Sequence, residues 1–272
     1  MSQFPMRKIM ELKANSLVDA LGHAQAWMKT NAPLDVCWFR GVKDSKLPLL
    51  PGAYWRSNYD EFSTLLQFSQ EGRAFADVGE LDDWKTYYLA QHNGVPTRLL
   101  DWTENFITAL FFATDGWSGD TTPCVWIVKT CDINRLSLGW SGLISPERNV
   151  ELNAWMPTSI VAGSQKIPTK DGKWVYDSAN PIALYPRKNN PRLIAQQGTF
   201  TVHGTEREPL ESWIASNAPG NHQSLICKIV FSRKVNHFDF VQQLDDLGLR
   251  RSTIYPDLHN FILEMKEQHQ WE

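Results

Sequence analysis

The sequence predicts a mixed α+β fold, and three observations carry that expectation. Short apolar runs bounded by turn residues have strand length. Amphipathic stretches of helical spacing lie among them. The two kinds do not alternate regularly, as a parallel βαβ sheet would require. At 272 residues the chain can bury one sizeable core. The expectation is a single domain over residues 1–272, with a central, largely antiparallel sheet and flanking helices. Residues 131–190 form a long irregular insertion or lid in this reading.

Ser16-Leu17-Val18-Asp19 fits a capping box. Leu17, Ala20, Leu21, Ala24 and Met28 then recur at helical spacing, until Asn31-Ala32-Pro33 ends the helix. Val36 to Val42 reads as a buried strand, and Lys46 to Tyr59 as a loop punctuated by Pro and Gly. Phe62, Leu65, Leu66 and Phe75 mark a second helix; Trp84 to Gln91 makes a third, terminated by Gly94 and Pro96. Asp101 or Thr103 can cap the next helix, whose buried face is Phe106, Ala109, Leu110 and Ala113. Cys124 to Val128 is a strand. Between Cys131 and Asn190, short strands fit Trp174 to Tyr176 and Ile182 to Leu184, within a turn-rich stretch. Thr199 to His203 and Ser224 to Phe231 are further strands. Val235 to Leu247 is a helix stopped at Gly248, and Asp257 starts the last helix.

Composition narrows the function. A formal net charge of -3 argues against broad nucleic-acid binding, which needs a basic stripe. No apolar run has the span of a bilayer, and Met1 to Lys8 lacks the apolar core of a signal peptide. Cys37, Cys124, Cys131 and Cys227 form no Cys-x-x-Cys pair, which argues against a zinc site. Reduced thiols and a cytoplasmic location are expected, with no metal. A Gly-x-Ser-x-Gly elbow and a Walker loop are both absent, against a serine hydrolase or a P-loop ATPase.

The most informative stretch is Gln91 to Ala113, where a polar, turn-rich block carrying His92, Arg98 and Asp101 runs into an apolar helix. A His and an Asp near each other can form an oriented base, although a structural hydrogen bonder is the plainer role for His92. Arg40 places a charge inside an apolar strand, where it must be neutralised. Two readings fit it: a buried ion pair with Asp101 or Asp257, and an anchor for phosphate through its planar fork. Gly41 would then allow close approach of a ligand to the backbone. Asp101 and Asp257 also suit helix caps, Arg98 could pair with Asp101 alone, and Gly198 after Gln197 could mark a bulge. The twelve tryptophans, Trp38, Trp102, Trp126 and Trp174 among them, read as core or as stacking partners of a base.

Four segments carry a family resemblance: Phe39-Arg40-Gly41, the long block from Gln91 to Thr103, Arg192 to Phe200 with its Gln-Gly-x-Phe, and Tyr255-Pro256-Asp257-Leu258. In this order they resemble the FRG domain family, over nearly the whole chain. The opening strand and the segment Leu100-Asp101-Trp102-Thr103, followed by Ala109 to Ala113, are also similar in outline to ADP-ribosyltransferase-like families. In those families the Arg positions NAD, and a later Gln/Glu-x-Glu motif supplies the catalytic Glu. Here Gln196-Gln197-Gly198 stands in the corresponding place without that Glu. Asp101 or Asp257 would have to serve in its stead.

The resemblance and the residues together imply a cleft. Arg40, Gly41, Arg98, Thr103 and Gln197 would bind an anionic, nucleotide-like ligand of NAD type, and His92, Asp101 and Asp257 would supply any glycosyl-bond chemistry. A second reading is a non-enzymatic recognition module with a protein partner, a sensor or effector in bacterium–phage conflict. A nuclease or nucleic-acid binder is the third.

Overall fold

The computed structural model describes residues 9–81, 83–168, 172, 175–188 and 190–271. The chain opens with strand β1 (Met10–Ala14) and helix α1 (Leu17–Asn31), whose cap Ser16 accepts from the Asp19 amide. Strand β2 (Cys37–Val42) leads through a long loop to α2 (Glu61–Glu71) and α3 (Trp84–His92). Next come β3 (Leu99–Thr103), α4 (Phe106–Thr114), β4 (Cys124–Lys129) and α5 (Thr130–Leu138). The short elements α6 (Pro157–Ile160), β5 (Lys166–Pro168), β6 (Val175–Asp177) and β7 (Ile182–Leu184) precede α7 (Pro191–Ala195) and β8 (Gly198–Val202). The chain closes with α8 (Leu210–Asn217), β9 (Ile226–Phe231), α9 (His237–Asp246), α10 (Arg251–Ile254) and α11 (Leu258–His269).

Seven strands form one sheet in the order β1-β9-β4-β2-β3-β8-β7. Every neighbouring pair is antiparallel except β1 with β9, so the fold is α+β with a largely antiparallel sheet. Side chains alternate across a strand, and the buried residues follow that rule. One face is lined by Trp38, Trp126, Leu100, Trp102, Ile226 and Val230, packed on Ile133 of α5 and on α8. The opposite face is covered in two parts. Helices α1, α4 and α9 cover Phe39, Val125, Ile127 and Ile229. Helix α3 and residues between 138 and 184 cover Leu99, Phe200 and Val202.

The junction of these two covers lies over β2 and β3, where the sheet is weakest. β2 pairs with β4 at six positions and β3 with β8 at five, but β2 meets β3 only at Phe39 opposite Thr103. A cleft opens where that pairing lapses.

Several expectations need correction. Residues 99–103 are a central strand, so neither Asp101 nor Thr103 caps α4; Asn105 does, accepting from the amides of Ile107 and Thr108. Thr103 instead accepts from the Asn105 amide, one residue outside the helix proper. Phe75 lies beyond α2 and is exposed. Within 131–190 the chain forms α5 and short strands, and Leu152, Trp155, Met156 and Leu184 are buried core. Of the strand expected at Trp174 to Tyr176, β6 covers Val175–Asp177 and Trp174 lies outside the described residues.

Candidate functional site

The cleft has a volume of about 740 Å³. Its floor is Phe39, Arg40, Gly41, Asp101 and Phe200, from β2, β3 and β8. One wall is α3, which contributes Tyr88, Leu89, Gln91 and His92. The other is built from Phe112 of α4, Arg192 and Leu193 of α7, and Tyr255 after α10. Arg192 lies over the Tyr255 ring, 4.5 Å from its centre, and Tyr255 meets Phe111 and Phe112 edge-on.

Arg40 sits at the lapse in strand pairing. Its Nη1 donates to the carbonyl oxygen of Asp101 at 2.5 Å and lies 3.8 Å from that residue's carboxylate. The Arg40 side chain keeps 25% of its surface exposed, and the Asp101 side chain 58%. Burial pulls the guanidinium below its ordinary value and Asp101 opposes the pull; the group stays cationic. The same Asp101 carboxylate oxygen, Oδ2, accepts from Gln91 Nε2 at 2.9 Å, and Gln91 is oriented by the Thr97 hydroxyl at 2.6 Å. The oriented pair expected between His92 and Asp101 is therefore replaced by a Gln91–Asp101 bond. His92 closes α3 and lines the cleft. Burial and the Arg192 charge pull its imidazole below the ordinary value, against Asp257 and Asp101. It is mainly neutral at neutral pH.

Four residues expected at the site lie outside the cleft lining. Arg98 is 2% exposed. Its Nε meets Glu61 at 2.6 Å, and its two terminal nitrogens donate to the carbonyl oxygens of His203 and Trp155. Glu61 also accepts from the Tyr87 hydroxyl and the Arg98 amide. This buried network ties α2 to β3 and to the segment before α6, and it holds Arg98 away from the cleft. Thr103 is buried and donates to the Gln196 carbonyl. Gln197 has a left-handed backbone, with φ of 46°, where the chain leaves α7, and its carbonyl accepts from Glu104. Asp257 is the exposed cap of α11, bonded to Asn260. Gly41 does line the cleft, but a helix fills the space a side chain would need. A Cβ there would overlap the Ala109 carbonyl and come within 2.5 Å of the Ala113 nitrogen.

The cleft also uses residues that the sequence reading passed over: Tyr88, Gln91, Phe112, Arg192 and Tyr255. Gln91, Arg192 and Tyr255 lie inside the family-like segments, and their polarity at an element end was the available signal. Among the described residues no group of three or more His, Cys, Asp or Glu side chains is placed to hold a metal ion, and no helix is long and apolar enough to cross a membrane.

Comparison with known proteins agrees with this architecture at its centre. The sequence model of the FRG domain matches residues 35–120, the segment that supplies β2, α3, β3 and α4 and with them Arg40, Gln91, His92 and Asp101. No curated protein and no solved structure matches the chain. Residues 35–120, which build one wall and most of the floor of the cleft, thus match the FRG domain.

Proposed function

We propose that the cleft binds an anionic, nucleotide-like ligand of NAD type, with Arg40 as the anchor for its phosphates. One observation carries this reading. A guanidinium stands in the floor of a concave site, partly exposed to it, with a single hydrogen bond to a described residue. Its remaining donors suit the parallel bonds that phosphate oxygens accept. The volume falls within the ordinary range of small-molecule sites, about 300–1,000 Å³. Aromatic side chains beside it, Tyr255 and Phe112, offer surface for a base.

The chemistry this ligand would undergo is cleavage or transfer at its glycosidic bond, as in ADP-ribosyl transfer or glycohydrolysis. Such a reaction passes through an oxocarbenium-like sugar, which a neighbouring carboxylate stabilises. Asp101 supplies that carboxylate, and neutral His92 the base. A second reading has its own support: Asp101 is already engaged by Gln91 and Arg40, which suits a recognition module, a cytoplasmic sensor or effector that binds without turnover.

A thermal-shift panel of NAD, ADP-ribose, mononucleotides and inorganic phosphate tests the reading. A ligand at 100 times its dissociation constant stabilises the fold by about 2.7 kcal/mol, so binding is visible. A panel silent throughout sinks the proposal. Release of nicotinamide from bound NAD separates turnover from recognition alone.

A further inference from the structure

The cleft extends beyond the end that Arg40 occupies. Helix α3 runs along it and rises about 13 Å from Asp83 to His92. His92 marks the end near Arg40, Asp101 and Arg192. Next to it, Tyr88, one turn before His92 on α3, stacks on Phe200, with ring centres 4.8 Å apart and planes 9° from parallel; Phe200 lies directly across from Asp101 in the pairing of β3 with β8. Toward the start of α3, three carboxylates, Asp77, Asp83 and Glu147, line the cleft together with the cations Lys85 and Arg187. Lys85 already lies 3.5 Å from Asp77, and the Arg187 amide is bonded to Glu147.

The Tyr88 hydroxyl is the second, independent observation. It is buried, and no described residue serves as its hydrogen-bond partner. Burial, and then the Glu147 charge, hold the phenol well above its ordinary value, so it remains a protonated donor. A buried donor without an acceptor is costly and calls for a cause. A carbonyl oxygen brought by a ligand would satisfy it. A planar ring lying on the aromatic wall and bearing a carboxamide brings that oxygen. Carboxylates around the ring favour a positive charge on it.

We infer that the Tyr88–Phe200 wall of the cleft, beside Asp101, is a subsite for a cationic, carboxamide-bearing ring, and that the protein therefore prefers oxidised to reduced nicotinamide dinucleotide. This rests on the nucleotide-binding reading above and names the ligand's second anchor. The reduced ring is neutral and gains nothing from Glu147, Asp77 and Asp83.

The test is calorimetric titration of NAD+, NADH and ADP-ribose into the full chain, Tyr88→Phe and Glu147→Gln at one ionic strength. The parent is expected to bind NAD+ about tenfold more tightly than NADH. Tyr88→Phe keeps the ring stack and loses only the hydroxyl. It should weaken NAD+ about tenfold, the size of one hydrogen bond, and leave ADP-ribose, which lacks the ring, unchanged. Its melting temperature should not fall. Glu147→Gln should narrow the ratio of NAD+ to NADH affinity. Equal binding of NAD+ and NADH, or a Tyr88→Phe variant that melts earlier or weakens ADP-ribose as much as NAD+, overturns the subsite and leaves nucleotide binding standing. Failure of all three ligands to bind the parent overturns nucleotide binding and the subsite together.

Discussion

Arg40 and Asp101 are joined across the line where strands β2 and β3 stop pairing, through a side chain on one strand and a backbone carbonyl on the other. The side chain substitutes for the missing strand hydrogen bond, and its remaining donors stand at the cleft. Arg40→Ala is therefore expected to weaken nucleotide binding about 10- to 100-fold, the scale of a charge-assisted hydrogen bond. Arg40→Lys should recover little, because an ammonium lacks the planar fork. Both should fold, since the side chain is partly exposed. Titration calorimetry checks the affinities, with circular dichroism as the folding control; parental affinity in a folded Arg40→Ala protein would remove Arg40 from the site.

Gly41→Ala tests a separate role for the neighbouring residue. The added methyl collides with the backbone of α4 at Ala109 and Ala113, and backbone cannot rotate away. We expect a loss of about 1–3 kcal/mol in urea unfolding, the range for overpacked sites. Unchanged stability would mean that α4 shifts freely, and the cleft wall carrying Phe112 would then be adjustable.

Arg98 should behave in the opposite way to Arg40. Removing either Arg98 or Glu61 strands a buried charge, a change that costs about 3–5 kcal/mol. Arg98→Ala and Glu61→Gln should both lower the unfolding midpoint sharply. A variant that keeps parental stability yet loses ligand binding would return Arg98 to the site.

The pH dependence of stability should contain two opposed slopes. Burial raises the Glu211 carboxyl from 4.5 to about 7, although the Leu49 amide and Lys228 pull it down. Its folded form holds a proton that the unfolded chain has lost, so it lowers stability as pH rises from 4.5 to 7. Burial and the Arg98 charge lower His203 from 6.5 to about 3. The unfolded chain then binds the extra proton, so stability rises with pH from 3 to 6.5. Between 4.5 and 6.5 the two offset each other. Glu211→Gln should unmask a rise of up to about 1.4 kcal/mol per pH unit in that window. A flat profile in this variant would refute the assignment.

What the sequence disclosed follows from how local each signal is. The caps at Ser16 and Asp257 and the apolar runs of β2, β4 and β9 are written in neighbouring residues, and they emerged close to their observed bounds. Strand β1 alternates Glu11 and Lys13 with apolar residues at a sheet edge, too short a pattern to stand out. Strand β3 was hidden because Asp101 and Thr103 resemble helix caps next to the apolar run of α4. The partner of Arg98 could not be read at all: Glu61 lies on another helix, and no spacing rule links them. Arg40 was legible as a charge that needs a neutralising neighbour, with Asp101 and Asp257 both open as that neighbour, because it stands inside an apolar strand. Which side of the strand gap that neighbour occupied was a matter of topology.

The substitution of a side chain for a strand hydrogen bond has a mechanical consequence. The Asp101 carbonyl is the point where two half-sheets, β1-β9-β4-β2 and β3-β8-β7, are stitched beyond their one bridge. Any anion that draws the guanidinium toward itself slackens that stitch. Occupancy of the cleft by such an anion would reach the seam of the sheet, and amide exchange along β2 and β3 would gauge it.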